Sequence, residues 1–87
     1  MSQEKLEKEL EKLRSEVDNL ASDDTTSRDK LNRLITELET VLQSSKEEEH
    51  HGLVDNVREA INHFEAEHPR ATAILNDIMV TLSNMGI

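Results

Sequence analysis

The sequence predicts an all-α protein of two helical hairpins, four helices in all, whose N-terminal pair resembles a coiled coil and which assembles as an oligomeric helical bundle. Apolar residues in the first half alternate at spacings of three and four, which is typical of helices that pack along a narrow seam. Polar stretches at 22–28 and 45–52, together with Pro69, divide the chain into four segments. We interpret the 87 residues as one domain, with a charged coiled-coil hairpin at 1–45 and a shorter apolar pair at 52–87.

Composition limits the functions that are open to the chain. Nineteen acidic and ten basic residues give a net charge of −9, which repels phosphate backbones and anionic lipid head groups. The absence of cysteine excludes disulfides, cysteine-bound metal centres and thiol nucleophiles. The start of the chain lacks the apolar stretch of a signal peptide, and no window approaches 18 uncharged apolar residues. We therefore expect a cytoplasmic protein that binds neither nucleic acid nor membranes.

Helix one is predicted over about residues 2–21. Its apolar residues follow spacings of four, three, four and three, the a/d pattern of a coiled coil. They are Leu6, Leu10, Leu13, Val17 and Leu20. A seam this narrow needs a partner helix, and a chain of 87 residues hides only a modest share of its surface when it folds alone. We therefore predict that these five residues lie at an interface.

The polar stretch after helix one contains residue types that favour caps and turns, which indicates a connection. Helix two then follows over about 26–44. Thr26 with Asp29 resembles a capping box, and Asp23 or Asp24 is an alternative N-cap. The apolar spacing nevertheless continues in the register of helix one, at Leu31, Leu34, Leu38 and Val41. A single uninterrupted helix of about 40 residues, about 60 Å long, is therefore the alternative.

A loop is predicted at 45–52, where three glutamates and Gly52 mark the sharpest change in composition. Helix three is predicted at about 53–66. Its apolar stripe consists of Leu53, Val54, Val57, Ala60, Ile61 and Phe64. Pro69 cannot continue a helix but is favoured at the first position of a new one. We therefore expect helix four to begin at about residue 69, with His68 near its N-cap.

Helix four is apolar around most of its circumference. Ten of the last 17 residues are apolar and one, Asp77, is charged, which is typical of a buried helix. The apolar positions are Ile74, Leu75, Ile78, Met79, Val80, Leu82 and Met85. Because four short helices are expected to cover this surface incompletely, part of it is predicted to form an interface. These interface residues are Ile78, Met79, Leu82 and Met85. Gly86 fits the left-handed position that ends a helix, with Ile87 folding back on Leu82.

Two short motifs carry a resemblance to a known family. The stripe of helix three ends in FEAEHP at 64–69, and helix four closes on NMGI at 84–87, after an acidic start with a leucine seam. The most specific positions are Phe64, His68, Pro69, Met85, Gly86 and Ile87. On these motifs the sequence resembles the short bacterial proteins of the domain-of-unknown-function 4404 family, over nearly the whole chain. The resemblance implies a bacterial, cytoplasmic helical protein and supplies no activity, substrate or catalytic residue.

Carboxylate and histidine side chains recur one helical turn apart, a spacing that can direct two ligands at one metal ion. The pairs are Glu47 with His51, Glu59 with His63, and His63 with Glu67. Two ligands are too few unless another helix or chain supplies more, and such spacings arise by chance among four histidines and nineteen acids. We expect no metal site and no cofactor. A metal- or small-ligand-binding protein that uses the pairs around 47–51 and 59–68 is the alternative function.

Glu65, Glu67 and His68 are close in sequence, but acid–base catalysis needs a desolvated pocket that helices this short hardly provide. The sequence has no Gly-rich phosphate loop and no nucleophile elbow. We therefore predict no catalytic residue and no enzyme. The predicted function is that of a small structural or interaction protein that self-associates through helix packing as a homo-oligomer. A different protein partner, such as an amphipathic helix in a groove, is the alternative partner.

Overall fold

The computed structural model describes residues 2–43 and 52–86, which form four helices. They are α1 (Ser2–Asn19), α2 (Thr25–Gln43), α3 (Leu53–Phe64) and α4 (Pro69–Asn84). The all-α prediction is confirmed, and the helix bounds agree with the predicted ones to within two residues. The predicted loop at 45–52 lies outside the described residues except for Gly52, which precedes α3. Within the described part of the chain, no helix has both the length and the apolar composition needed to cross a bilayer.

α1 and α2 are separate helices, so the alternative of one uninterrupted helix is wrong. The chain turns after α1, where the Asp24 N–H donates to the Ala21 carbonyl at 3.0 Å. Asp24 then caps α2, because its Oδ1 accepts the backbone N–H of Ser27 at 3.3 Å. Of the candidate N-caps, Asp24 is therefore the one that the structure uses. The capping box at Thr26 is not formed, since α2 already begins at the preceding residue.

The four helices close into one bundle. α1 packs against α2 and α4, and α3 packs against the same two helices. The contact between α1 and α4 is the most extensive of the four, and that between α2 and α3 is the least. All helices contribute to a single core, which comprises Leu6, Leu10, Leu13, Val17, Leu31, Leu34, Ile35, Leu38, Val41, Leu53, Val57, Ala60, Phe64, Leu75, Ile78 and Leu82. Each fully buried leucine contributes about 1.5–3 kcal/mol to stability, so the packing of apolar stripes holds the fold together.

α4 begins and ends as predicted. Pro69 occupies its first turn and His68 is its N-cap, a place where the missing proline N–H costs no hydrogen bond. Gly86 follows the helix with a φ of +83°, the left-handed conformation that glycine adopts without steric penalty. The predicted contact of Ile87 with Leu82 lies outside the described residues.

Candidate functional site

The segment FEAEHP, at residues 64–69, joins α3 to α4. Phe64 is the last residue of α3 and is fully buried in the core. The backbone then tightens, because the N–H of His68 donates to the Phe64 carbonyl at 2.8 Å. Glu65 and Glu67 are exposed to solvent on this turn. The segment that gathers the rarest residues of the chain is therefore a structural joint, with no enclosed space in which its two carboxylates and its histidine converge.

His68 caps α4 through its backbone and not through its side chain. Its carbonyl accepts the N–H of Thr72 at 3.0 Å and the Thr72 hydroxyl at 2.9 Å. Its imidazole makes no capping hydrogen bond and instead packs edge-on against the Phe64 ring, with ring centroids 5.3 Å apart. The buried Nε2 atom lies 3.3 Å from Asp24 Oδ2 without hydrogen-bond geometry. The His68 side chain therefore touches the N-cap of α2 from the start of α4.

Asp24 is the described acidic group whose protonation equilibrium the fold changes clearly. Hydrogen bonding from Ser27, first from its side chain and also from its backbone N–H, lowers the pKa of Asp24 below its ordinary value. Partial burial acts in the opposite direction, and the neighbouring His68 adds a smaller lowering effect. The carboxylate is stabilised for a structural reason, since it holds the first turn of α2.

The carboxylate and histidine pairs do not assemble into a metal centre within the described residues. Glu59 and His63 are exposed on α3, and Glu67 is exposed on the turn that follows it. No group of three or more potential ligands occurs in residues 2–43 and 52–86. Glu47 and His51 lie outside the described residues, so that pair stays a prediction.

The residues predicted to form an interface lie mostly inside the bundle. Leu6, Leu10, Leu13, Ile78 and Leu82 are at most 1 % exposed, and Val17 is 9 % exposed. Leu20, Met79 and Met85 are partly buried and pack against the core. The predicted interface requires that a single chain leaves these side chains uncovered. In the structure, α1 and α4 cover each other instead. Self-association itself stays a prediction, and the surface available for it lies elsewhere on these helices.

α4 has an outer face that carries very little charge. Its exposed residues are Pro69, Arg70, Ala73, Asn76, Asp77, Val80, Ser83 and Asn84. Val80 is 55 % exposed and is the one large apolar side chain that stands out to solvent in the described part of the chain. The sequence pattern places Val80 in a helix that is apolar nearly all round, and its exposure corrects that prediction. The exposed face of α1, by contrast, is densely charged, with Glu4, Lys5, Glu7, Lys8, Glu11, Lys12, Arg14 and Asp18.

A cleft of about 300 Å³ lies between α2 and α3. It is lined by Lys30, Arg33, Leu34 and Glu37 from α2 and by Asn56, Glu59 and Ala60 from α3. On each helix these residues fall within one face, at spacings of one, three, four or seven, so that the two helices present facing stripes. The side chains of Asn56 and Glu37 bridge the two helices, with Nδ2 donating to Oε2 at 3.0 Å. The cleft therefore lies where the bundle is packed least closely.

Comparison with known proteins identifies the family. The family model described as Domain of unknown function (DUF4404) matches residues 6–87, from the first buried leucine of α1 to the end of the chain. The chain belongs to this family. No curated protein and no solved structure matches it. The family description confirms the resemblance seen in the sequence and assigns no reaction, so the role of this DUF4404 protein has to be argued from its own surfaces.

Sequence reasoning missed two polar features of this DUF4404 protein. Glu9 is only 4 % exposed, and its Oε1 accepts the hydroxyl of the buried Thr81 at 2.7 Å. Both residues look like ordinary surface positions, because neither belongs to the spacing that marks the apolar stripes. The second feature is the pair Lys30 and Arg33, which line the cleft between α2 and α3, and nothing in the local sequence distinguishes them from the other charged residues of α2. Whether a polar residue beside an apolar stripe is buried or exposed depends on the neighbouring helix, so the sequence of one helix does not show it.

Proposed function

We propose that this chain is a small, cytoplasmic, non-catalytic interaction protein that self-associates through the outer face of α4. The observation that carries the proposal is the exposure of Val80 in the middle of a helix face that bears one cation and one anion. A single exposed valine is common on protein surfaces, but Val80 supports a contact because the face around it bears only two charged residues, Arg70 and Asp77. The role proposed is that of a structural or adaptor module, which needs no reacting groups.

Electrostatics favours this face over the others for a contact between identical chains. Two copies that each carry a charge of −9 repel each other. Charges more than about 8 Å apart are largely screened at physiological ionic strength, and the bundle is 19 Å across in its shortest dimension. A contact through the outer face of α4 brings together surfaces that each expose one cation, Arg70, and one anion, Asp77. A contact through α1 would have to remove many charged side chains of both signs from water.

The two charges on this face are arranged for two-fold self-pairing. Arg70 and Asp77 are seven residues apart, or about 10 Å along the helix. When two α4 helices cross antiparallel about a point near Ala73, each Arg70 meets the partner's Asp77. Such a contact is isologous, the commonest arrangement in homodimers.

The size of this face sets the expected strength of the contact. α4 has 16 residues and is therefore about 24 Å long. A single helix face of this length buries less than the roughly 1,600 Å² of a standard interface. We expect a reversible dimer that forms between micromolar and millimolar protein concentrations and that dissociates on dilution.

The proposal can be tested by sedimentation equilibrium across this concentration range, on variants in which the charges of Arg70 and Asp77 are reversed singly and together. Arg70→Asp alone and Asp77→Arg alone should each keep the chain monomeric, because each places like charges opposite one another. The double variant R70D/D77R should restore the dimer. Arg58→Asp is the matched control, since it makes the same change in charge on the exposed face of α3 and should leave the association unchanged.

Two results would contradict the proposal. The first is a wild-type chain that stays monomeric up to millimolar concentration. The second is a dimer that survives both single charge reversals and Val80→Asp, because the contact would then use another face. Circular dichroism of each variant separates loss of association from loss of folding, since all three positions are exposed and their side chains are not part of the core.

A further inference from the structure

The cleft between α2 and α3 has the size and the lining of a small-molecule site. Its volume of about 300 Å³ is at the lower end of the range for ligand pockets, which corresponds to a ligand of few atoms. Leu34 and Ala60 lie at the floor of the cleft and are only 4 % and 5 % exposed, so most of the accessible lining is polar. The short side chain of Ala60 leaves space that a larger residue would fill. An apolar region flanked by a few polar groups is the usual pattern of such sites.

The cations of this cleft are not paired with carboxylates among the described residues. The ion pairs of residues 2–43 and 52–86 are Arg14 with Glu39, Arg58 with Asp55, and His68 with Asp24. Arg33 precedes Glu37 by one helical turn, a spacing that favours an ion pair. Glu37 instead accepts the amide of Asn56 from α3. With respect to residues 2–43 and 52–86, the side-chain donors of Lys30 and Arg33 are therefore available to a ligand.

The charge balance of the lining decides which class of ligand fits. Two cations, Lys30 and Arg33, and two carboxylates, Glu37 and Glu59, line the cleft. A simple anion would gain from the cations, but it would meet Glu59 and the field of a chain with a charge of −9. A simple cation would meet Lys30 and Arg33. A zwitterion has no net charge to be repelled and matches both signs at once.

We infer that this cleft binds a small aliphatic zwitterion, of the chemical class of a free amino acid. The ligand's carboxylate pairs with Lys30 and Arg33, where a guanidinium and an ammonium group supply charge-assisted hydrogen bonds. Its ammonium group pairs with Glu59. Its aliphatic side chain lies against the floor of the cleft at Leu34 and Ala60, which are already almost fully buried, so the charged contacts supply most of the affinity. This site is independent of the proposed self-association, because it lies on α2 and α3 and not on the outer face of α4.

This inference can be tested by a heteronuclear NMR titration of the isotope-labelled chain. The three probes share the same branched aliphatic chain and differ in their charged groups. L-leucine carries both charges, isocaproate lacks the ammonium group and isoamylamine lacks the carboxylate. Leucine should produce saturable shifts at the amides of Asn56, Glu59 and Ala60. Each of the other two probes should bind about tenfold more weakly or worse, because each lacks one charge-assisted contact worth about 1.4 kcal/mol or more.

Two variants and a control locate the site. Glu59→Gln removes the charge and preserves the shape of the side chain, whereas Arg33→Gln removes the charge and shortens the side chain; each should weaken the binding of leucine about tenfold. Arg58→Gln changes an exposed arginine of α3 that does not line the cleft, and it should have no effect. Thermal unfolding followed by circular dichroism shows whether each variant is folded before its titration is interpreted.

Three outcomes would overturn the inference. Absence of saturable shifts up to the solubility limit of leucine shows that the cleft does not bind this class. Equal affinity for isocaproate and leucine shows that the ammonium group is not recognised. Shifts that saturate but map outside α2 and α3 place the site elsewhere.

Discussion

The contact between α1 and α4 and the contact between α2 and α3 are opposite extremes within one small bundle. The first joins helices from the two ends of the chain, is the most extensive and encloses the hydrogen bond between Glu9 and Thr81. The second joins helices that follow one another in sequence, is the least extensive and leaves an open cleft bridged by Asn56 and Glu37. Proximity in sequence therefore does not determine which helices pack most closely.

The difference follows from the side chains that the helices present to each other. α4 is apolar over a wide arc, so it can fill the spaces along the narrow seam of α1. α3 offers the short Ala60 and the polar Asn56 and Glu59 to α2. Small and polar residues at a helix contact leave a gap that water can enter. The α1–α4 contact is therefore expected to carry more of the stability, and the α2–α3 contact to be free for binding.

The largest predicted effect compares two leucine truncations. Leu10 is 1 % exposed and follows Glu9 on α1, and Leu10→Ala should lower the free energy of unfolding by about 3–5 kcal/mol, since it leaves an enclosed cavity. Leu34 lines the open cleft, where water can occupy the vacated space, and Leu34→Ala should cost about 2 kcal/mol. Urea unfolding measures both. Equal costs would contradict the contrast between the two contacts.

A smaller effect is expected when the buried hydrogen bond between α1 and α4 is removed. Thr81→Val keeps the shape of the side chain but leaves Glu9 without its hydroxyl donor, which should cost about 1–3 kcal/mol. Thr36→Val is the matched control. The Thr36 side chain is exposed on α2, and its hydroxyl donates only to the carbonyl of Asn32 one turn away, so the control should stay within about 0.5 kcal/mol of the wild type.

The double variant Glu9→Met with Thr81→Val sharpens this result. Both polar partners are then replaced by apolar groups of similar size, which is expected to recover most of the loss. A double variant that is as unstable as Thr81→Val alone would show that the cost comes from packing and not from the unpaired carboxylate.

The pH dependence of stability probes a third, local feature, the N-cap that Asp24 provides for α2. The pKa of Asp24 is lowered in the folded chain, mainly by Ser27, from an ordinary value of 3.8. The folded state therefore binds the proton less readily than the unfolded state. The stability that the carboxylate contributes is present in full above that ordinary value, and it is lost as the pH falls through the lowered one.

Asp24→Asn isolates this contribution, because asparagine is an equally good N-cap but does not titrate. Urea midpoints of the wild type and the variant should differ by a constant amount above about pH 5. Below about pH 4, the urea midpoint of the wild type should fall relative to that of the variant, because the Asp24 carboxylate becomes protonated. Parallel curves over the whole acidic range would contradict the assignment.

The smallest effect is expected at the bridge across the cleft. Asn56 is exposed, and its bond to Glu37 exchanges readily with water. Asn56→Ala should therefore change the free energy of unfolding by no more than about 0.5 kcal/mol. A loss of more than about 1 kcal/mol would mean that the bridge, rather than apolar packing, holds α2 against α3.

The sequence by itself determined the helices and their ends, because the signals for these are local. The spacing of leucines, the cap-forming residues before α2, Pro69 at the start of α4 and Gly86 after its end all act within one or two turns of the chain. FEAEHP and NMGI also identified the family. The sequence does not decide which residue caps α2, because several residues of the connection have suitable side chains. The structure shows that Asp24 is the cap.

Only the tertiary structure decided which neighbour covers each helix face. The periodicity of a stripe shows that a face is apolar, but it does not show what packs against it. For this reason the sequence predicts an interface between chains at the seam of α1 and the inner face of α4. In the structure, these two surfaces form one core within a single chain. The same long-range packing buries Glu9, exposes Val80 and opens the cleft at Ala60. These outcomes depend on the sizes and shapes of side chains that are distant in sequence. The local spacing of apolar residues therefore does not predict them.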